Sequence, residues 1–395
     1  MLDHSMKISN VKIILEDGIS LQGDLFIQNG KIQEIAEKLE QKADLVLDGT
    51  GKNWTLVPGF IDLHIHGAAG HDVMDATKEA LAGMAQTLPK EGTTSFLATT
   101  ITQSKEAITK ALMMAGHYMN EQPDHGQAEI LGIHLEGPFI SSKKAGAQPL
   151  EHIIAPNAVL FDQWQKASGE KIRLVTAAPE TDGGQAFFKY AADQHVVASI
   201  GHSNATSAEV KEAINQGARH ITHLFNQMSG LHHREPGVVG AAFLHNELII
   251  EMIVDFVHIH PEAVKLAYSI KGADRTILIT DAMRAKGLPD GTYDLGGQEV
   301  FVAGNEARLK DGTLAGSILT FQDAIKNMKS QTNLSMEELV KITSSNAAKQ
   351  IGVYDRKGSI TVGKDADLVL LDQKWTVQHT ICRGKISYQK EELFQ

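Results

Sequence analysis

The stretch PGFIDLHIHG, residues 58–67, decides the fold. It starts at a Pro-Gly break, runs through apolar side chains, and ends on two imidazoles and a glycine. Side chains two apart on a strand share a face, so His64 and His66 aim the same way from the strand's C-terminal end. Paired imidazoles suit zinc, iron and related divalent ions. Taken alone, the H-x-H pair reads equally well as one packed and one solvated histidine. Gly67 and Gly70 just beyond favour a crowded loop where backbone approaches a ligand.

Outward from this strand, seven further apolar runs follow: TTSFLATTI, EILGIHLEG, KIRLVTAAP, VVASIGHS, HITHLFN, IIEMIVDFVHI and RTILITDAM. Helical patterns lie between and beyond them. SAEVKEAINQG opens on a capping box of Thr206 and Glu209, and EELVKITSSNAAK on one of Ser335 and Glu338. Eight strand–helix alternations between Leu56 and Met283 predict an α/β chain folded as a (β/α)8 barrel, spanning 56–355. An open doubly wound sheet is the alternative, weakened by the lack of a GxGxxG turn after the first strand. Both ends differ in texture. VKIILEDG and LQGDLFIQNG near the start, and ADLVLLD and WTVQHTICRG near the finish, read as short strands and turns. Residues 1–55 and 356–395 are therefore expected to form one small β-sandwich domain.

Composition narrows the function. The 395 residues are 42% hydrophobic and 22% charged, as in an ordinary globular protein. The net charge of -11 repels nucleic acid and anionic membrane, so an anionic substrate needs a local basic anchor. One cysteine, Cys382, allows no intrachain disulfide. The opening MLDHSMKIS has no apolar h-region, and no run approaches 18 apolar residues. The expectation is a cytoplasmic protein with no signal peptide, membrane span or nucleic-acid partner.

Glu136, in GIHLEGPF, ends the third strand. Burying a carboxylate there requires a cation, either a metal or a basic side chain. His134 shares its face one layer deeper and reads as packed and hydrogen-bonded. His202, in SIGHSNAT, and His223, in HITHLFN, each end a strand, though each alone is more often structural. His220 points off the face of His223 and reads as structural. Asp281, in ILITDAM, closes the eighth strand, where an acid beside an activated water suits general-base work. Strands one, three, five, six and eight thus each deliver a metal-competent group to one end. Active sites of (β/α)8 barrels lie at that end. The expected metal set is His64, His66, Glu136, His202, His223 and Asp281, with Asp281 catalytic.

PGFIDLHIHG, HLEGPF, GHSNAT, THLFNQMSGLHHREPG, TDAM and DGTLAGS, with the closing GSITVGKDADLVLLD, occur in an order that resembles the amidohydrolase superfamily. Within it they resemble the N-acetylglucosamine-6-phosphate deacetylases, across nearly the whole chain. H-x-H marks only the superfamily; HLEGPF with THLFNQM and HREPG is far more specific. The resemblance implies hydrolysis of the acetamide of N-acetylglucosamine 6-phosphate to glucosamine 6-phosphate and acetate, in amino-sugar catabolism and cell-wall recycling. It implies one or two divalent ions per subunit, zinc or iron first, manganese or cobalt next. His64, His66 and Asp281 would hold one ion, His202 and His223 the other, with Glu136 between them. Many binuclear relatives use a carboxylated lysine on the fourth strand instead; KIRLVTAAPE ends without one.

The resemblance also assigns substrate contacts. Arg234 would reach the phosphate from the neighbouring subunit of a homodimer, with Asn226 and Gln227 assisting. His258 would meet the sugar, Ala147 would offer backbone, and Leu314, Ala315 and Gly316 would close over the ring. One departure stands out. Gln148, in KKAGAQP, replaces a histidine that several relatives aim at the carbonyl oxygen, and glutamine can donate a hydrogen bond but cannot become cationic. The alternatives are a deacetylase of an epimeric acetamido sugar phosphate, another N-acyl hydrolase, or a silent binding barrel. Retention of all six ligands speaks against the last.

Overall fold

The computed structural model describes residues 5–391. Residues 1–4 and 392–395, the outer ends of the expected terminal domain and the first part of the stretch read for a signal peptide, lie outside the described residues.

Eight strands form one sheet in chain order: β1 (Phe60–Ile65), β2 (Thr93–Thr100), β3 (Glu129–Glu136), β4 (Ile172–Ala177), β5 (Val197–Ile200), β6 (His220–Ile221), β7 (Ile249–Ile253) and β8 (Thr276–Ile279). All neighbouring pairs are parallel. Strands buried on both faces lose the apolar/polar alternation, which is why TTSFLATT is buried at every position. Among the described residues one helix follows each strand: α1 (Lys78–Thr87), α2 (Lys105–Glu121), α3 (Ala158–Ala167), α4 (Gly184–Asp193), α5 (Ser207–Asn215), α6 (Gly237–Leu244), α7 (Pro261–Lys271) and α8 (Phe321–Gln331). Each of α2 and α5 turns one apolar stripe inward, such as Ile108, Leu112 and Ala115 on α2. The capping box of Thr206 and Glu209 opens α5, and that of Ser335 and Glu338 opens the helix Met336–Val340.

The ring closes at β8 and β1 through single contacts. Asp281 N–H donates to His64 O at 2.8 Å, and His66 N–H to Ala282 O at 2.9 Å. Below them, Asp62 Oδ2 accepts from Thr280 Oγ1 at 2.6 Å.

The termini build a second, eight-stranded sheet. Ser5–Ile14, Ser20–Gln28, Lys31–Ala36, Leu45–Asp48 and Thr55–Pro58 join Leu368–Leu371, Val377–Cys382 and Lys385–Gln389. Its core of Ile8, Ile13, Leu25, Leu56, Leu368 and Ile381 is separate from the barrel's. The chain passes between the units at Gly59, where a Cβ would sit 2.1 Å from Thr94 Oγ1. An ion network ties the two. Glu129, at the base of β3, meets Arg356 at 2.7 Å and Lys357 at 2.8 Å, and Arg356 also meets Asp365 at 2.8 Å.

One element lies outside the expected barrel. After β8, Gly291–Leu295, Gln298–Ala303 and Glu306–Leu309 form a three-stranded antiparallel sheet. Its first hairpin turns on Gly296 and Gly297, at φ 60 and 82, the left-handed backbone such turns require. Leu295, Val300, Val302 and Ala307 pack with Ile101, Met283 and Ala315 beside the barrel mouth.

Candidate metal centre

The six expected ligands meet at the C-terminal mouth of the barrel. They form two groups, His64 with His66 and Asp281, and Glu136 with His202 and His223, all buried. His202, His223 and Asp281 each lie two residues past the end of β5, β6 and β8, with φ of 48, 32 and 48. A single left-handed residue swings each side chain off its strand and over the mouth.

Glu136 joins the groups. Its Oε1 lies 3.1 Å from both His202 Nε2 and His223 Nε2 and 3.4 Å from His64 Nε2, while Oε2 lies 3.3 Å from His66 Nε2. Asp281 Oδ1 lies 3.2 Å from His66 Nε2 and 3.4 Å from His64 Nε2. The two facing nitrogens of His202 and His223 are 3.1 Å apart. Four ligands held tetrahedrally at 2.0–2.1 Å from an ion lie about 3.3 Å from one another, so this spacing fits a zinc-sized cation.

Protonation fits the same reading. His202 Nδ1 faces Lys144 O at 2.8 Å. A carbonyl only accepts, so Nδ1 carries the hydrogen and Nε2 turns its lone pair to the site. Buried His64 Nε2 has no hydrogen-bond partner. Burial opposes charge on His66, yet Asp281 and Glu136 outweigh it and raise its pKa to about 9. Burial alone would lift the carboxyls of Glu136 and Asp281, but the imidazoles around them hold both below the ordinary range. The donor set therefore calls for positive charge at this point, and a divalent cation fits it.

A cavity of about 350 Å³ opens above these groups. Ala147, Asn226, Gln227, His258, Leu314 and Gly316 line it, as does Gln148. Ala315 does not; it is buried behind the wall, its N–H donating to Ala307 O at 2.9 Å. His258 Nδ1 bonds Asp255 Oδ2 at 2.6 Å, which fixes the ring at the rim. Arg234 lies away from its own chain's cavity, exposed, with its guanidinium on His233 Nε2 at 2.9 Å. Gln148 is buried and already engaged: Thr102 N–H donates to its Oε1 at 2.8 Å, and its Nε2 donates to Glu136 Oε2 at 2.7 Å. His134 Nε2 meets Thr176 Oγ1 at 2.7 Å, and His220 Nε2 meets Glu251 at 2.9 Å, so both are packed and partnered.

Sequence reasoning missed two groups. Glu251, an acid inside the apolar run of β7, contacts His64 at 3.1 Å. Arg308, from the unforeseen small sheet, is the one arginine among the described residues lining the cavity, which no lysine lines. An acid within an apolar strand was a usable signal for the first. The Gly-Gly hairpin was one for the sheet that carries the second.

A sequence profile described as the amidohydrolase family matches residues 55–387. The N-acetylglucosamine-6-phosphate deacetylase of Bacillus subtilis (strain 168) is 47% identical over 392 residues, covering 99% of each chain. Among solved structures, that of the N-acetylglucosamine-6-phosphate deacetylase from Thermotoga maritima aligns with a TM-score of 0.87 at 37% identity, over 98% of this chain and 100% of that one. A mutant of the Mycobacterium smegmatis enzyme in complex with N-acetyl-D-glucosamine-6-phosphate aligns at 0.89 with 29% identity, over 98% and 99%. With a ligand set at the barrel mouth and likeness along its full length, the chain belongs to the amidohydrolase family and, within it, to the N-acetylglucosamine-6-phosphate deacetylases.

Proposed function

We propose that this chain hydrolyses the acetamide of N-acetylglucosamine 6-phosphate, releasing acetate and glucosamine 6-phosphate. The observation that carries this reading is the pair of buried ligand groups sharing Glu136 beneath a cavity large enough for a sugar phosphate. His64, His66 and Asp281 would hold one ion, and His202, His223 and Glu136 another, with zinc or iron the first candidates and manganese or cobalt the next. A divalent ion supplies Lewis acidity, which acidifies water and polarises an amide carbonyl.

The remaining chemistry belongs to the side chains. Asp281, held ionised, accepts the proton of the attacking water and then delivers it to the leaving nitrogen, which departs as an amine only once protonated. Gln148 tethers Glu136 through a 2.7 Å hydrogen bond, so its amide would position a carboxylate and not polarise the carbonyl. His258, fixed by Asp255, would meet a sugar hydroxyl, and Asn226 and Gln227 would offer donors at the rim. Arg234 would serve the phosphate of a neighbouring subunit. Its exposure outside its own cavity, beside exposed Leu231, supports a homodimer. Among the described residues no helix is long and apolar enough to cross a membrane. A cytoplasmic location is the proposal that accompanies a sugar-phosphate substrate.

Acetate release by the purified protein, run beside elemental analysis, tests the proposal. The expected result is turnover of N-acetylglucosamine 6-phosphate with one or two bound divalent ions per subunit. Faster turnover of the galacto epimer would overturn the substrate. No acetate from either epimer with metal-replete protein would overturn the activity.

A further inference from the structure

Strand β7 contributes no member of either ligand group, yet its central residue, Glu251, touches one member of each. Glu251 is fully buried. Its Oε2 lies 3.1 Å from His64 Nδ1 and accepts from the His223 N–H at 3.1 Å, while Oε1 lies 2.9 Å from His220 Nε2. Its main chain joins in: Leu224 N–H donates to Glu251 O at 2.9 Å. Among the described residues its ion-pair partners are both histidines, with no lysine or arginine to balance it. A buried carboxylate on these terms persists only where N–H donors converge on it.

The chemistry of an ionised carboxylate then decides the state of His64. Such a group only accepts, so Nδ1 of His64 carries the hydrogen and Nε2 turns its lone pair toward Glu136 and Asp281, 3.4 Å from each. The edge of His134, with ring centroids 4.5 Å apart at 84°, blocks the ring from swinging away. The other imidazole of this group has no such support, since His66 Nδ1 is without a partner. At His223 the carboxylate holds the amide of a residue whose φ of 32 lies in the sparsely populated left-handed region.

We propose that Glu251 is a positioning residue: it fixes His64 in the metal-competent tautomer and, through the His223 amide, sets the spacing between the two ligand groups. This rests on the metal reading given above. Carboxylate–imidazole support of this kind typically changes metal affinity 10- to 100-fold. A residue that merely packs β7 against β6 would matter through stability alone.

The test compares Glu251→Leu, Glu251→Gln and His220→Phe in the full-length protein, using cobalt(II) as the probe. Stoichiometry, chelator-competition affinity and the visible spectrum are read alongside Tm. Glu251→Leu is expected to bind cobalt at the His64, His66 and Asp281 position about 10- to 100-fold more weakly. Glu251→Gln, which keeps an acceptor, should recover part of that loss. His220→Phe removes an equally buried partner of the same carboxylate, so it should lower Tm as the Glu251 variants do while holding affinity within about threefold. If Glu251→Leu does not fold, Glu251→Gln against His220→Phe decides by the same criterion. Wild-type affinity in the Glu251 variants, or an equal loss in His220→Phe, overturns the inference. So does a wild-type protein whose only cobalt is insensitive to His66→Asn, although the hydrolase proposal would then survive. Wild-type protein that binds no cobalt would sink the metal reading itself.

Discussion

Asp281 carries a carboxylate whose pKa burial alone would raise; two imidazoles reverse the balance and hold it below the ordinary range. As the proton carrier of the proposed hydrolysis, it should be nearly irreplaceable. Asp281→Asn is expected to lower kcat about 10²- to 10⁴-fold, while cobalt at Glu136, His202 and His223 is retained. A wild-type rate in this variant would end its assignment as the base. Arg234 is a second residue whose role is separable. Arg234→Ala should raise KM for the phosphorylated sugar at least about tenfold, the equivalent of one lost charge-assisted contact. KM for the unphosphorylated sugar should barely move, and equal shifts would remove the phosphate role. Asp281 was legible in the sequence because acids and imidazoles at strand ends are conspicuous, whereas Arg234 was legible only through the family resemblance. Glu251 was not, although the reasoning that picked out Glu136 applies to it equally. It sits in mid-strand within IIEMI, where periodicity alone cannot separate a partnered acid from an outward-facing one. Arg308 escaped because its strand was unread.

Elements explain how the ligands reach the site. β5, β6 and β8 end alike: an isoleucine, one intervening residue, then a ligand at positive φ. Each such residue costs about 1–3 kcal/mol, offset by the surrounding structure. The two-residue strand period located the shared end but not this turn, because His and Asp enter left-handed backbone with little sequence warning. The strain has a measurable sign. At His202, with φ 48, glycine relieves the backbone and alanine does not. Both variants lose the imidazole. Metal-free His202→Gly should therefore exceed His202→Ala in stability by about 1 kcal/mol in urea denaturation, the reverse of the order in a regular helix or strand. The reverse ranking would show that the turn is unstrained. The small sheet after β8 was also written in the sequence, in the alternation around Gly296 and Gly297. An alternation of strands and helices directs attention to helices, and a hairpin inserted among them is easily passed over.

At the scale of the whole molecule, two cores must hold together, and Glu129 is the chief tie. Burial raises its pKa, but Lys357, Arg356 and Arg383 outweigh that and bring it to about 2. The folded value lies below the ordinary 4.5, so its contribution is present above pH 4.5 and lost as pH falls through about 2. The amount is on the order of 3 kcal/mol. Glu129→Gln should flatten stability against pH across that acid window, measured by denaturant midpoints; an unchanged slope would remove the tie. The barrel and the terminal sheet were legible from runs and turns, whereas this network, joining residues more than two hundred positions apart, had no local pattern to show.

The seam of the barrel has a topological consequence. Asp62 and Thr280, which meet there, are 218 residues apart along the chain. His64 and His66 stand on one lip and Asp281 on the other. An ion held by all three would be a rivet through the circumference, so its binding free energy would also be free energy of keeping the ring shut. At a free concentration one hundred times Kd this amounts to about 2.7 kcal/mol. Chelation should therefore unzip the cylinder from one line. Hydrogen exchange is expected to quicken first at the amides of Asp281 and His66, which cross the seam, and only later in β3 and β4 on the far wall. Uniform quickening around the ring would mean that the rivet bears no such load.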